Sequence, residues 1–135
     1  MNFTEMFKEN YSYFLNEINY KVITVGNIND KVDIKIQDNL EFKILGDTAL
    51  QIIANRAVRF NPNVVYELNV SFGAILEFKS KGLVDDNVDW NANFVQTPEG
   101  STIIQSLLTR VSLQIAQITS SYGLNPIVTP PNLMN

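Results

Sequence analysis

Cysteine and histidine are both missing from the 135 residues, and the two absences remove more function classes than any motif present. Without them there is no disulfide framework, no Cys or His zinc site, no thiol nucleophile and no Ser-His-Asp triad. An enzyme built from this chain would have to work with carboxylates, lysine or tyrosine. Basic residues are also scarce: 10 Lys and Arg stand scattered against 14 Asp and Glu, for a net charge of -4. Nucleic acid is therefore not an expected partner, because affinity for a phosphate backbone comes from clustered cations that release counterions. Arg56 and Arg59 sit on opposite faces of one predicted strand, and with Arg110 they are too few for a basic patch. No apolar run approaches the ~18 residues of a membrane span, so no membrane insertion is expected. Met1-Asn2-Phe3-Thr4-Glu5 lacks the basic-then-apolar layout of a secretory signal. The expected location is the cytoplasm, where the sequons at Asn2, Asn10 and Asn69 carry no meaning.

What is present is the composition of a globular protein, 45% hydrophobic and 18% charged. The length suits a single domain over residues 1–135, which would bury roughly two-thirds of its unfolded surface. The longest unbroken pattern runs from Leu50 to Phe78 and reads as two strands across the turn Asn61-Pro62-Asn63. Leu50, Ile52, Ala54, Val58 and Phe60 share one face of the first. Val64, Tyr66, Leu68, Val70, Phe72, Ala74, Leu76 and Phe78 share one face of the second, with Glu67, Asn69, Ser71 and Glu77 opposite. At ~3.3 Å per residue the second strand would run roughly 50 Å, too long for its own cover, so part of its apolar face is expected to meet a partner or ligand.

Around this hairpin the pattern is less regular. Residues 1–10 read as a short helix capped by Thr4, with Met6 and Phe7 as apolar contacts, or as a disordered lead-in. From Tyr11 to Val25 an alternation changes phase near Glu17, as a bulged strand would. Lys31–Ile44 alternates on both sides of Gln37-Asp38-Asn39, which breaks the pattern and suggests an irregular edge segment. Val88, Trp90, Ala92 and Phe94 alternate with Asp89, Asn91 and Asn93, and read as a fourth, more polar strand.

The strongest helix signal follows. Thr97 suits the N-cap, Pro98 the first helical position, Glu99 the positive end of the dipole and Gly123 the C′ position. Ile104, Leu107, Leu108, Val111, Ile115, Ile118 and Tyr122 recur at helical spacing. The other face carries Gln105, Thr109, Ser112, Gln114 and Gln117, polar yet uncharged. Solvated faces usually carry Lys and Glu, so these five are candidates for a subunit contact; the alternative is an ordinary exposed face. After Gly123 three prolines forbid a helix, leaving residues 123–135 as an extended apolar tail lying on something.

Four antiparallel strands, a long helix opened by Thr97-Pro98-Glu99, and then Gly-x-x-Pro-apolar-apolar-x-Pro-Pro make an order that resembles the SecB family of export chaperones. In that family a four-stranded antiparallel sheet precedes a long helix, and a Gly- and Pro-containing crossover leads to a second helix. The matching residues here are Gly123, Pro126, Ile127, Thr129, Pro131, Asn132 and Leu133, and the resemblance covers the chain from about Phe14 to Leu133. It implies an α+β fold, with a four-stranded antiparallel sheet and one long C-terminal helix packed on it. It also implies a nucleotide-independent holdase for unfolded or partly folded polypeptide, with no cofactor, assembled as a homo-oligomer of two or four chains. The sequence stops at Asn135, so the family's second helix and acidic tail are not expected, and the groove that helix flanks would be more open or covered by a neighbouring subunit. Members that dock on the SecA motor carry acidic residues on the first strand, where this sequence places Val22 and Gly26. The resemblance therefore points away from SecA docking, toward a solitary SecB-like chaperone with one dedicated client, such as an antitoxin or a phage or export substrate.

Candidate walls for a peptide groove are Phe72, Phe78, Trp90 and Phe94 on the predicted sheet and Leu124, Ile127, Val128 and Leu133 on the tail. The first four fit an ordinary core equally well. Asp85, Asp86 and Asp89 lack the spacing of a calcium loop and read as a solvated turn. Glu67 and Glu77 share a strand face but lie roughly 33 Å apart, far beyond the ~5–9.5 Å of a glycosidase pair. No catalytic set and no metal site are expected. Two rivals stand beside the holdase: a non-catalytic structural or adaptor protein, for instance phage-encoded, that binds one folded partner, and a small-ligand carrier with an enclosed cavity between sheet and helix.

Overall fold

The computed structural model describes residues 2–23, 31–80, 82, 87–121 and 126–134. Its elements are α1 (Phe3–Met6), β1 (Phe7–Val22), β2 (Asp33–Leu45), β3 (Ala49–Asn61), β4 (Tyr66–Phe78), α2 (Trp90–Val95) and α3 (Pro98–Ser121). The four strands form one antiparallel sheet in the order β1-β4-β3-β2. The fold class expected from the sequence holds, and α3 lies across one face of the sheet.

That face is built by strict alternation. Leu50, Ile52, Ala54 and Val58 of β3 and Leu68, Val70, Ala74 and Leu76 of β4 are all fully buried against Leu107, Leu108, Val111 and Ile115 of α3. Among the described residues these side chains fill the space between α3 and the two central strands. At one end Phe3, Phe7, Phe78, Trp90 and Phe94 stack into an aromatic cluster with ring centroids 4.9–6.4 Å apart. Thr97 caps α3, its Oγ1 accepting from the Gly100 amide at 3.0 Å.

Several expectations are corrected. The segment 88–94 is no strand. Asp89 caps a helical turn, its Oδ1 accepting from the Ala92 amide at 3.2 Å, and only Trp90 and Phe94 are buried there. An alternation of four apolar residues contains an i, i+4 pair as well as i, i+2 pairs, and here the helical pair wins because it points both rings into the aromatic cluster. The fourth strand is instead β2, continuous through Gln37-Asp38-Asn39 and paired with β3 along its full length. At the N-terminus Thr4 lies inside α1, its hydroxyl donating to Asn2 Oδ1, and β1 begins at Phe7 rather than Tyr11. The phase change near Glu17 is a register shift between Leu15 and Glu17. It leaves Tyr13, Leu15, Ile18, Tyr20 and Val22 opposite the inward residues of β4, with Phe14 on the other face above Gly73. The β4 strand, expected to outrun its cover, is central and buried. The uncovered apolar face belongs to its neighbour β1.

Candidate functional site

Because α3 covers mainly β3 and β4, it divides the inward face of the sheet into two flanks. With about 100° per residue, Arg110 and Ser112 point to opposite sides. The Arg110 guanidinium sits 4.1 Å over the Tyr13 ring on β1, whereas Ser112 bonds toward β3 and the tail.

On the β1 flank an apolar strip stays open. Leu15, Ile18, Tyr20 and Val22 share the inward face and are 38–49% exposed. Leu113, on the outer side of α3, is exposed as well. Large apolar side chains aligned in one row beside a helix differ from the singly scattered apolar residues of an ordinary surface.

The β2 flank is closed by the tail, and the closure is polar. Arg56 occupies an inward position of β3 between Ala54 and Val58 and is 0% exposed. Asp38 lies directly opposite on β2. The Arg56 Nε and Nη2 donate to Asp38 Oδ1 and Oδ2 at 2.7 and 2.8 Å, a two-pronged ion pair. The remaining donors reach over the sheet. Nη1 lies 3.0 Å from Ser112 Oγ, 2.8 Å from Thr129 Oγ1 and 2.6 Å from Pro130 O, and Nη2 lies 2.7 Å from Asn132 O. Thr129 Oγ1 in turn donates to Ser112 Oγ at 3.0 Å, and Ser112 Oγ to Pro130 O at 3.2 Å. Further along, Met134 clips onto β2: its amide donates to Asp38 Oδ2 at 2.7 Å, and its carbonyl accepts from the Asp38 amide at 2.8 Å. At the start of the tail the Ile127 amide donates to the buried hydroxyl of Thr119 at 2.8 Å. Every N–H of the guanidinium thus has an acceptor, the condition under which an arginine tolerates burial.

Beside the end of the tail the surface is dished. Hollows of about 160 and 490 Å³ lie on either side of Leu133, the first against Val95, Ile104 and Leu108, the second against Asp38, Leu40 and Ala92. A third, of about 530 Å³, runs on between β2 and α2, lined by Leu40, Phe42, Ile44, Val88 and Trp90. Trp90 Nε1 is buried without a hydrogen-bond partner among the described residues.

A search of protein-family models and of curated proteins returned no match for this sequence. Comparison of the fold did. The structure of the Mycobacterium tuberculosis SecB-like chaperone Rv1957, in complex with a ChAD peptide from the HigA1 antitoxin, superposes with a TM-score of 0.61 at 12% identity, covering 87% of this chain and 85% of that one. The fold is SecB-like. At this identity the likeness speaks for the arrangement of sheet and helix, and side-chain roles have to come from the chain itself.

Within the SecB-like fold the candidate groove residues separate. Phe78, Trp90 and Phe94 belong to the buried aromatic cluster, although Trp90 also edges the third hollow. Phe72 is half-buried between the two core clusters. Ile127 is half-buried against Val58, Val111 and Ile115, Leu133 is 42% exposed between two hollows, and Val128 is 81% exposed. Leu124 lies outside the described residues, as do Gly26, Tyr122, Gly123, Asp85 and Asp86. Asp89 is the cap of α2. Of the candidate interface residues Gln105, Thr109 and Gln117 are exposed on α3, Gln114 is half-buried, and Ser112 is engaged with the tail rather than free for a subunit. Sequence reasoning missed Arg56 and Asp38. The available signal was a charge at an inward position in each of two neighbouring apolar alternations.

Proposed function

We propose that this chain is a nucleotide-independent holdase that binds non-native polypeptide, working as a cytoplasmic homo-oligomer of two or four chains. The observation that carries the reading is the open strip of Leu15, Ile18, Tyr20 and Val22 beside α3, on a sheet face that is elsewhere filled. Covering the part of one such side chain still exposed is worth about 1 kcal/mol, without regard to the sequence of the partner. The smaller hollow beside Leu133, walled by Val95, Ile104 and Leu108, offers further apolar contact for an extended segment. The peptide bound to the SecB-like chaperone of similar fold supports a polypeptide as the kind of ligand. Gln105, Thr109 and Gln117 are the proposed polar contacts between subunits. The rival reading, an adaptor for one folded partner, uses the same surfaces with a narrower range of ligands.

The test is suppression of aggregation of a chemically denatured, unrelated protein at equal subunit concentration without nucleotide, for the native chain and for Ile18→Asp/Val22→Asp. Both positions are exposed, so the variant keeps its core, and light scattering reports its subunit count. Suppression by the native chain and its loss in the variant at unchanged subunit count is the expected result. Equal suppression by both would remove the strip from the mechanism. No suppression by a folded, oligomeric native chain would leave the single dedicated partner.

A further inference from the structure

We propose that the tail is an exchangeable strap, resting in a site for the main chain of an extended polypeptide in which Arg56 receives the carbonyls. The proposal rests on the holdase reading and adds to it where, and by what contacts, the client's backbone is held.

The tail is retained mostly through groups that every polypeptide has. Arg56 takes the carbonyls of Pro130 and Asn132, Asp38 takes the amide and carbonyl of Met134, and Thr119 takes the amide of Ile127. Thr129, contributing its hydroxyl, and Ile127, whose side chain packs on the second core cluster, are the exceptions. Meanwhile Val128 and Leu133, side chains that would anchor an apolar strap, remain 81% and 42% exposed. Carbonyls two residues apart are what any extended segment presents on one side. The prolines pre-set the extended form, so the tail loses little entropy by lying there.

The same geometry makes release conditional. With the tail gone, Arg56 Nη1 would lose the carbonyl of Pro130 and the hydroxyl of Thr129, and Nη2 the carbonyl of Asn132, and guanidinium donors left unpaired beside the apolar face of the sheet are costly. An incoming segment that supplies two carbonyls removes that cost. The strap therefore leaves in exchange for a client rather than spontaneously, and in the client-free protein the Arg56 site is covered while the β1 strip stays open.

The chain's lack of cysteine permits a reversible lock. Ser112 Oγ and Thr129 Oγ1 are 3.0 Å apart, so the sulfurs of cysteines at these two positions would face each other across the contact that a disulfide would bridge. In Ser112→Cys/Thr129→Cys the bridge would be the sole disulfide, with its formation read from loss of free thiol. Binding of reduced, carboxymethylated α-lactalbumin, which cannot refold, is measured on the oxidised and reduced forms of this one variant. At least a tenfold weaker affinity in the oxidised form, restored by reduction, is the expected result. Equal affinity in both states overturns the strap while leaving the holdase standing. No binding in either state, together with none by the native chain, overturns the holdase and the strap with it. Should the variant misfold, the unmodified chain decides: exchange of the Ile127 and Met134 amides is slow alone and at least tenfold faster at saturating α-lactalbumin if the strap leaves, whereas unchanged exchange refutes it.

Discussion

Replacing Arg56 by methionine keeps most of the side chain's volume and removes its charge. Asp38, whose side chain is only 1% exposed, then loses its counter-ion, while Pro130 O, Asn132 O and Thr129 Oγ1 lose their common donor. Breaking a buried pair from one side typically costs about 3–5 kcal/mol, because an uncompensated charge stays behind. At roughly 3–5 °C per kcal/mol for a domain of this size, the melting temperature should fall by ~10–20 °C. Asp38→Leu/Arg56→Met removes both charges, and because apolar replacements for buried pairs are often neutral, it should recover most of that loss. What it cannot recover is the seat of the tail. The assay is urea unfolding followed by the single tryptophan, Trp90, at one fixed protein concentration, with amide exchange at Ile127 and Met134 read in parallel. The double variant should combine a near-native midpoint with fast exchange in the tail. An Arg56→Met variant that loses less than about 1 kcal/mol, or a double variant whose tail stays protected, would refute the reasoning.

Other outcomes follow from single positions. Gly100→Ala gains up to ~1 kcal/mol of helix propensity. Its Cβ would nevertheless overlap the Phe94 carbonyl oxygen and meet Thr97 Oγ1 at 2.6 Å, so thermal unfolding should show a net loss of about 1–3 kcal/mol. Phe94→Ala, at a 0% exposed site against the rings of Phe3, Phe7 and Phe42 and against α3, should cost ~3–5 kcal/mol in urea unfolding. Any loss of client binding should then track that unfolding. Burial, followed by the neighbouring Tyr13, Glu99 and Glu9, raises the Tyr11 phenol above its ordinary 10.0. The unfolded chain therefore releases this proton first: the contribution to stability is complete below pH 10 and is lost as pH rises through the folded value. Phenolate absorbance appearing above the ordinary tyrosine range should fall by one residue's share in Tyr11→Phe.

The parts of this fold that could be read from the sequence are those where a residue's neighbours in the chain decide its environment. Alternation along Leu50–Phe60 and Val64–Phe78 assigned the inward faces of β3 and β4 correctly, because both faces of a central strand are fixed by its pleat. Thr97, Pro98 and Glu99 marked the start of α3 by local cap chemistry. The failures required a partner distant in sequence. Asp38 looked like a break in β2 since nothing near it explains a buried carboxylate, and Arg56 looked like a stray cation on β3 for the same reason. Once Leu45 and Ala49 close the hairpin, the two fall opposite each other and each accounts for the other. The open strip on β1 was hidden by the shift between Leu15 and Glu17, which carries Ile18, Tyr20 and Val22 onto the face of Tyr13 and Leu15 rather than that of Phe14.

In the proposed holdase the two flanks of α3 would therefore hold a client by different physics. The β1 strip attracts through area alone, so it takes any apolar segment and fixes neither its register nor its direction. The Arg56 slot attracts through donors and acceptors at set distances, so it fixes the direction and register of a backbone and is indifferent to most of its side chains. A surface with only the first would be as sticky toward copies of itself as toward a client, and one with only the second would be too weakly driven to gather a collapsed chain. If the chain is the proposed holdase, with the slot filled by the tail and the strip left open, apolar contact on β1 would come first. The backbone would then be captured at Arg56 only by a segment extended enough to present carbonyls two residues apart. Compact native proteins, whose carbonyls are already paired within their own helices and sheets, cannot complete that second step.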